Sequence, residues 1–216
     1  MSCGSAHVSD PAVGHDERRA RNIRLARRLG YPEPPADVPP TEVRAWRTVD
    51  EAVDRALVVN VVLSCAHGLA PAGGWTWLRG AGLLDRVTPA EAAYLEDLES
   101  GLHLDDLARR LQVEALWALL WAVCLADDLD FAEGCGGAVA PLLPELDDPG
   151  AVAAFRTAAE RRHEDDLLVT LDLARVLTAA LGDDDLRIGY APGEVEPYVV
   201  WERRRALEWL AGADWD

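Results

Sequence analysis

The sequence predicts an all-α fold, arranged as a single globular domain of about seven or eight helices. Apolar residues recur at helical spacing along the chain, two helix-start signatures occur at Thr48 and Thr88, and no hairpin or strand-helix-strand pattern is present. With 216 residues, half of them apolar, the chain can bury one core. We expect a loose, flexible N-terminal tail over residues 1–15 and one helical domain over residues 16–216.

The first predicted helix covers residues 16–29 and ends at Gly30 and a proline-rich connector. Its apolar side is opposite an arginine face formed by Arg21, Arg24, Arg27 and Arg28. Because the rest of the chain is acidic, we predict that this face docks onto the body of the protein rather than onto nucleic acid.

The second predicted helix begins at Thr48, which forms a capping box with Glu51, and ends near His67. Four valines within this segment favour a strand, yet the cap and the length decide for a buried helix. A short helix over residues 75–84 follows. The next helix begins at Thr88, with Pro89 at its first position and Glu91 completing the cap.

The second half of the chain contains four more predicted helices. A helix over residues 104–126 is apolar on all sides in its second half, and a connector containing Pro141 and Pro149 follows. Helices are then predicted over residues 151–161 and 164–181, the latter stopped by Gly182. The last helix begins at Pro197 and ends before Gly212.

The net charge of −17 comes from 38 acidic and 21 basic residues, and every basic residue is arginine. Without lysine, Schiff-base catalysis, a P-loop phosphate site and a protein-kinase ATP site are excluded. An electrostatic field of this sign repels nucleic acid and anionic lipid, and it favours a basic partner. We therefore predict a basic protein partner, with no nucleic acid and no membrane.

The four cysteines are scattered and lie partly in apolar runs, which is typical of reduced, buried thiols. Cys65 and His67 are two residues apart and point in different directions on a helix, and no paired-cysteine spacing occurs, so no metal site is predicted. No motif calls for a cofactor. The longest apolar stretches are too short to span a membrane, and the first residues lack signal-peptide features, so a cytoplasmic location is expected.

The last predicted helix places Arg203 at the centre of its apolar face. A buried guanidinium needs a carboxylate partner, and two candidates are similarly misplaced in apolar helices. Glu114 is the only charge between Val113 and Ala126, and Asp172 has Arg175 one turn further on. We therefore predict an inward-facing polar cluster of Glu114, Asp172, Arg175 and Arg203, edged by Trp117, Trp121 and Trp209.

Two interpretations of this cluster are open. It can consist of interhelical ion pairs that fix helix register. It can also be a small pocket in which Arg203 binds an anionic ligand and Glu114 acts as a general base or accepts a cation. No nucleophile motif such as Gly-x-Ser-x-Gly is present, so no catalytic residue is assigned.

Three segments of the chain carry a family resemblance: Glu114–Ala122, Leu171–Arg175 and, most specifically, Val200–Leu210 with Trp215 and Asp216. In these segments the chain resembles an uncharacterised bacterial family, domain of unknown function 4272. The resemblance extends from the region of Arg21 to the C-terminus. It implies an intact single-domain member of a family without an assigned activity.

The function therefore remains unknown from sequence, and two classes compete. The first is a non-enzymatic acidic interaction or regulatory protein, of an inhibitor-like or immunity-like kind, that binds a basic partner. The second is a small-ligand-binding protein or enzyme that uses the inward cluster. A pocket that reaches Arg203 and Glu114 would favour the second class, and a closed ion pair would not.

Overall fold

The structure of the chain is a computed structural model that describes residues 14–102, 107–188 and 196–216. Nine α-helices and no strand occur in these residues. The helices are α1 (His15–Arg28), α2 (Val49–Ala66), α3 (Pro71–Gly80), α4 (Pro89–Glu99), α5 (Leu107–Leu111), α6 (Val113–Ala122), α7 (Pro149–Ala158), α8 (Glu164–Ile188) and α9 (Pro197–Leu210). The all-α prediction is confirmed, but the predicted count of seven or eight is too low. Most of the predicted tail, residues 1–13, lies outside the described residues.

Helix α2 is at the centre of the core, and only one side of its first turns and Ser64 are less than fully buried. Thr48 and Glu51 form the predicted capping box, in which the Thr48 hydroxyl accepts from the Glu51 amide at 3.2 Å and Glu51 accepts from the Thr48 amide at 2.8 Å. Burial on all sides explains the run of valines, because such a helix needs no polar face. The alternative of a strand is wrong here.

The extra helix arises because the segment predicted as one helix over residues 104–126 contains two. At Gln112 the amide bonds to the carbonyl of Arg109, three residues back, and this tighter turn separates α5 from α6. Helix α6 then ends four residues early, at Ala122, and Cys124 adopts a left-handed backbone with φ of 57°. Polar groups of Arg162 bind the carbonyls released there, so a tertiary contact sets this helix end.

Other predicted boundaries agree within a few residues. Helix α3 begins at Pro71 rather than Trp75, because Pro71 occupies the first helical turn where no amide donor is needed. Gly182, the predicted stop of α8, has φ of 70° and ψ of 165° and interrupts the helix between Glu164 and Ile188. Helix α9 begins at Pro197 and ends at Leu210, before Gly212, as predicted.

The helices pack in a continuous series. Helix α9 lies between α6 and α8, α1 covers α8, and α2 lies between α6 and α3. The connector after α1 crosses the end of α9, where the amides of Arg44 and Arg47 donate to the carbonyls of Ala211 and Leu210. Residues from all these helices except α5 contribute to one buried hydrophobic cluster.

Helix α1 docks onto the body, but not through the face predicted from sequence. Its buried residues are Arg18, Asn22 and Ala26. The arginine face of Arg21, Arg24, Arg27 and Arg28 is exposed. The prediction that this face docks is therefore wrong. Burying the four guanidinium groups would require a carboxylate or carbonyl partner for each of them, whereas the face that docks has fewer charged groups to satisfy.

Candidate functional site

Arg203 of α9 and Glu114 of α6 form a buried ion pair. The Nε and Nη2 atoms of Arg203 donate to the same carboxylate oxygen, Oε2, at 2.9 and 2.6 Å. The two side chains are only 1% and 2% exposed. Of the two carboxylates considered from sequence, Glu114 is thus the one that meets Arg203, because the first turn of α6 packs against the middle of α9.

The same pair holds the loop that follows α6. Arg203 Nη1 donates to the carbonyl of Asp130, and the guanidinium lies 5.7 Å from the ring centre of Phe131. The other oxygen of Glu114, Oε1, accepts from the amide of Cys135 at 2.8 Å. A Cβ atom at Gly134 would lie 2.9 Å from this oxygen, so the loop backbone closes directly over the pair.

Asp172 does not join this pair. It is fully buried and binds Arg19 of α1, with the shortest contact at 2.8 Å from Arg19 Nη2 to Asp172 Oδ1. Thr41 donates to it at 2.7 Å and Asn22 at 2.9 Å. Burial on its own would raise the pKa of Asp172, but the bonds from Arg19, Thr41 and Asn22 outweigh it and hold the pKa below its usual value. Asp172 therefore fastens α1 and the connector to α8.

Arg175 belongs to a third, more exposed group. Its Nε atom donates to Glu208 Oε1 at 3.0 Å, and Arg204 Nε donates to the same oxygen at 3.0 Å. Arg175 Nη1 also donates to the carbonyl of Pro40 at 3.3 Å. The four charged residues predicted as one cluster therefore lie in three separate groups. Only Glu114 and Arg203 belong to the same group.

The three tryptophans expected at the edge of the cluster are buried, but two of them contact cations other than Arg203. The guanidinium of Arg162 lies 4.5 Å from the ring centre of Trp121, and that of Arg47 lies 5.0 Å from the ring centre of Trp209. Trp117 is 8% exposed and belongs to the hydrophobic core. Arg203 lies over the ring of Phe131 instead, a residue that the sequence interpretation did not include.

Arg162 is a buried arginine that the sequence analysis missed. It is 5% exposed, and its Nε donates to the carbonyl of Trp121 at 2.8 Å while Nη2 donates to that of Ala126 at 3.0 Å. A guanidinium at this position binds carbonyls left free at the end of α6 and lies at the negative end of that helix dipole. Because it lies outside any predicted helix, no periodic pattern identified it.

Arg55 and Glu91 form another buried pair that was missed. Arg55 Nη2 donates to Glu91 Oε1, and the two side chains are 4% and 0% exposed. Arg55 is the only basic residue within α2. That isolation was a usable signal, equivalent to the one that identified Arg203, whereas Glu91 was recognised only as part of a helix cap.

An acidic surface lies beside the buried Arg203 pair. We name residues 127–133 the acidic loop, because all four of its acidic residues, Asp127, Asp128, Asp130 and Glu133, are exposed. The sequence has no basic residue between Arg110 and Arg156. Within the described part of the chain no arginine side chain forms an ion pair with these carboxylates. The backbone of the loop is nevertheless fixed, by Arg203 at Asp130 and by Arg162 at Ala126 and Asp127.

The chemistry available elsewhere is limited. Within residues 14–102, 107–188 and 196–216, no group of three or more His, Cys, Asp or Glu side chains can hold a metal ion. Burial raises the pKa of the Cys65 thiol to about 11, and burial together with Glu114 raises that of Cys135 to about 12. Both stay protonated at neutral pH and are poor nucleophiles. No described helix is both long and apolar enough to cross a membrane.

Comparison with known proteins gives a family but no activity. Neither the curated proteins nor the solved structures include one that matches the chain. One family model matches residues 18–216, from α1 through the C-terminal residues that follow α9. The chain therefore belongs to the family DUF4272, a domain of unknown function.

Proposed function

We propose that the protein is a non-enzymatic, cytoplasmic binding or regulatory protein that uses its acidic loop to bind a basic partner protein. The observation that carries this proposal is the contrast within the loop. Buried arginines fix its backbone, while its carboxylates are exposed and lack arginine partners within the described part of the chain. An inhibitor-like or immunity-like protein is one form that such an activity can take.

Preorganisation supports this role physically. A loop that is ordered before binding loses less conformational entropy on association than a mobile one. Exposed carboxylates of one sign also increase the rate of encounter with a basic surface. The net charge of −17 acts in the same direction over longer distances.

The buried pair itself supports a structural role for Glu114 and Arg203. With exposures of 1% and 2%, neither side chain is accessible to a ligand, and their hydrogen bonds are directed to each other and to the loop. Catalysis at this pair would require the loop to open. Interhelical ion pairs that position the acidic loop are therefore the interpretation we favour.

The cytoplasmic part of the proposal is supported by the cysteines. Cys65 and Cys135 are buried and form no disulfide within the described residues. Reduced thiols of this kind are typical of reducing compartments.

The test compares two variants with the same change in charge. Asp127→Asn/Asp128→Asn/Glu133→Gln removes three of the four carboxylate charges of the acidic loop, and Glu96→Gln/Asp97→Asn/Glu99→Gln removes three exposed charges from α4. Affinity capture from a lysate of the source organism is performed at low and high salt. We expect the wild type and the α4 variant to retain a basic protein that the loop variant loses.

Salt should weaken that binding, because screening reduces the attraction between exposed charges. Equal capture by the two variants would show that the loop is not the binding surface. Capture of only acidic or salt-insensitive partners would contradict the proposal as a whole.

A further inference from the structure

A groove of about 800 Å³ lies between the connector that follows α1, the C-terminal half of α8 and the end of α9. Arg175 and Arg204 line it together with Glu208, and Arg44 lines it from the connector. Pro39 and Val38 provide an apolar wall. The volume is within the range of small-molecule sites, and the lining combines apolar surface with a few charged groups, as in such sites.

The charges around Glu208 in this groove do not pair one to one, as those of the buried pairs do. Arg203 has Glu114 and Arg19 has Asp172, one carboxylate for each guanidinium. Here Arg175 and Arg204 share a single oxygen of Glu208, so this group carries one excess positive charge.

Donors in the group are also left over. Within the described residues, Arg175 Nη2 and both terminal nitrogens of Arg204 have no hydrogen-bond partner. Arg175 and Arg204 are 23% and 33% exposed, so these donors are partly shielded from solvent. A guanidinium presents its N–H groups in the planar geometry that suits a carboxylate.

Asp37 and Glu42 line the groove from the connector and limit what it can bind. Their charges, added to that of Glu208, equal those of the three arginines, so a polyanion would be repelled by as many charges as attract it. A ligand with one negative charge avoids this cost if its charge lies at Arg175 and Arg204.

We propose that this groove binds a small carboxylate ligand with an apolar body, whose carboxylate is held by the free donors of Arg175 and Arg204. The apolar body packs on Val38 and Pro39. This site is distinct from the acidic loop and does not depend on the function proposed for it.

The test uses benzoate as the probe, with benzamide as its neutral isostere and inorganic phosphate as the competing anion. Nitrogen-detected NMR follows the Nε–Hε signals of Arg175 and Arg204 during titration to tens of millimolar, enough to saturate a millimolar site. We expect benzoate to shift both signals to saturation and benzamide to leave them in place. Equal shifts with benzamide, or stronger binding of phosphate, would overturn the assignment of a carboxylate site.

Three variants locate the site. Arg204→Gln should weaken benzoate binding at least tenfold, whereas Arg28→Gln, which removes the same charge from the exposed face of α1, should not change it. Glu208→Gln should strengthen binding several-fold, because the carboxylate of Glu208 competes with the ligand for both arginines. If Glu208→Gln weakens binding, or Arg28→Gln acts like Arg204→Gln, the proposal fails.

Discussion

At the scale of single residues, Arg203 shows what one buried charge requires of its surroundings. Its three guanidinium nitrogens donate to Glu114 and to the carbonyl of Asp130, and its central carbon lies over the ring of Phe131. Removing either charge would leave the other buried without an opposite charge, which is more costly than the net contribution of the intact pair.

Arg203→Ala should lower the free energy of unfolding by about 3–5 kcal/mol, the usual loss when one partner of a buried pair is removed. Arg204→Ala should cost less than about 1 kcal/mol, because Arg204 is a third exposed and Glu208 keeps Arg175 as a partner. Urea unfolding of both variants measures the difference.

A double-mutant cycle identifies the partner. The cost of Arg203→Ala should fall when Glu114→Gln is already present and should be unchanged beside Asp172→Asn. Small and equal effects of Arg203→Ala and Arg204→Ala would contradict the buried pair.

The sequence predicted that Arg203 needs a carboxylate but did not select one. Glu114 and Asp172 have the same signal, a single acid within an apolar stretch of a helix, and α9 packs against the helices of both. The orientation of α8 about its own axis determines which acid meets Arg203, because it directs Asp172 toward α1. A helical wheel of α9 turns Arg205 away from the apolar face, yet in the structure Arg205 binds Glu202 at 2.6 Å and lies 4.8 Å from the ring centre of Trp215. A wheel drawn for one helix contains no information about residues beyond it.

At the scale of the helices, starts were more predictable than ends. The caps at Thr48 and Thr88 and the prolines at the first turns of α4 and α9 are local signals, and the structure has all four. The end of α6 depends instead on Arg162, which is distant in sequence. The attachment of α1 to α8 is tertiary in the same sense, because it depends on the contact between Arg19 and Asp172.

This attachment should depend on pH. The folded pKa of Asp172 lies below its ordinary value of 3.8, so its contribution to stability is complete above that value and is lost as the pH falls through the lower folded pKa. The stability difference between wild type and Asp172→Asn should therefore be largest at neutral pH and shrink below pH 3.8. Urea unfolding between pH 7 and 3 tests this.

Asp128→Asn provides the control, because it removes the same charge from an exposed position. Its stability difference from wild type should change little over the same range. A difference for Asp172→Asn that stays constant on acidification would show that the carboxylate charge does not stabilise the attachment of α1.

At the scale of the whole molecule, the arginines divide into two populations. Some are buried and connect helices distant in sequence, as Arg55 and Arg162 do, and others remain on the surface of α1. Composition alone gives the acidic net charge, but it does not show which arginines are buried and bound to partners inside the protein. Because some arginines are buried, fewer positive charges balance the exposed carboxylates of the acidic loop than the total of 21 arginines suggests.

Trp215 unites several of these contacts near the end of the chain. It is 5% exposed, its ring centre lies 4.6 Å from the guanidinium of Arg55 and 4.8 Å from that of Arg205, and it meets Trp209 edge to face at 5.8 Å. Beside it, the Thr88 hydroxyl donates to Asp216 at 3.1 Å. The residues after α9 thus bind to α2 and to the start of α4, which closes the packing series.

Trp215→Ala should therefore destabilise the whole fold, by about 3–5 kcal/mol, because it leaves a cavity of indole size and removes the aromatic surface from two cations. Trp201→Ala is the matched control, since Trp201 is 53% exposed and its loss should change the free energy of unfolding by less than about 1 kcal/mol. Trp215→Phe should fall between the two, because a smaller ring keeps part of the packing and of the attraction to the guanidinium groups. Thermal and urea unfolding of the three variants give the order, and a Trp215→Ala protein as stable as Trp201→Ala would show that the C-terminal residues do not hold α2, α4 and α9 together.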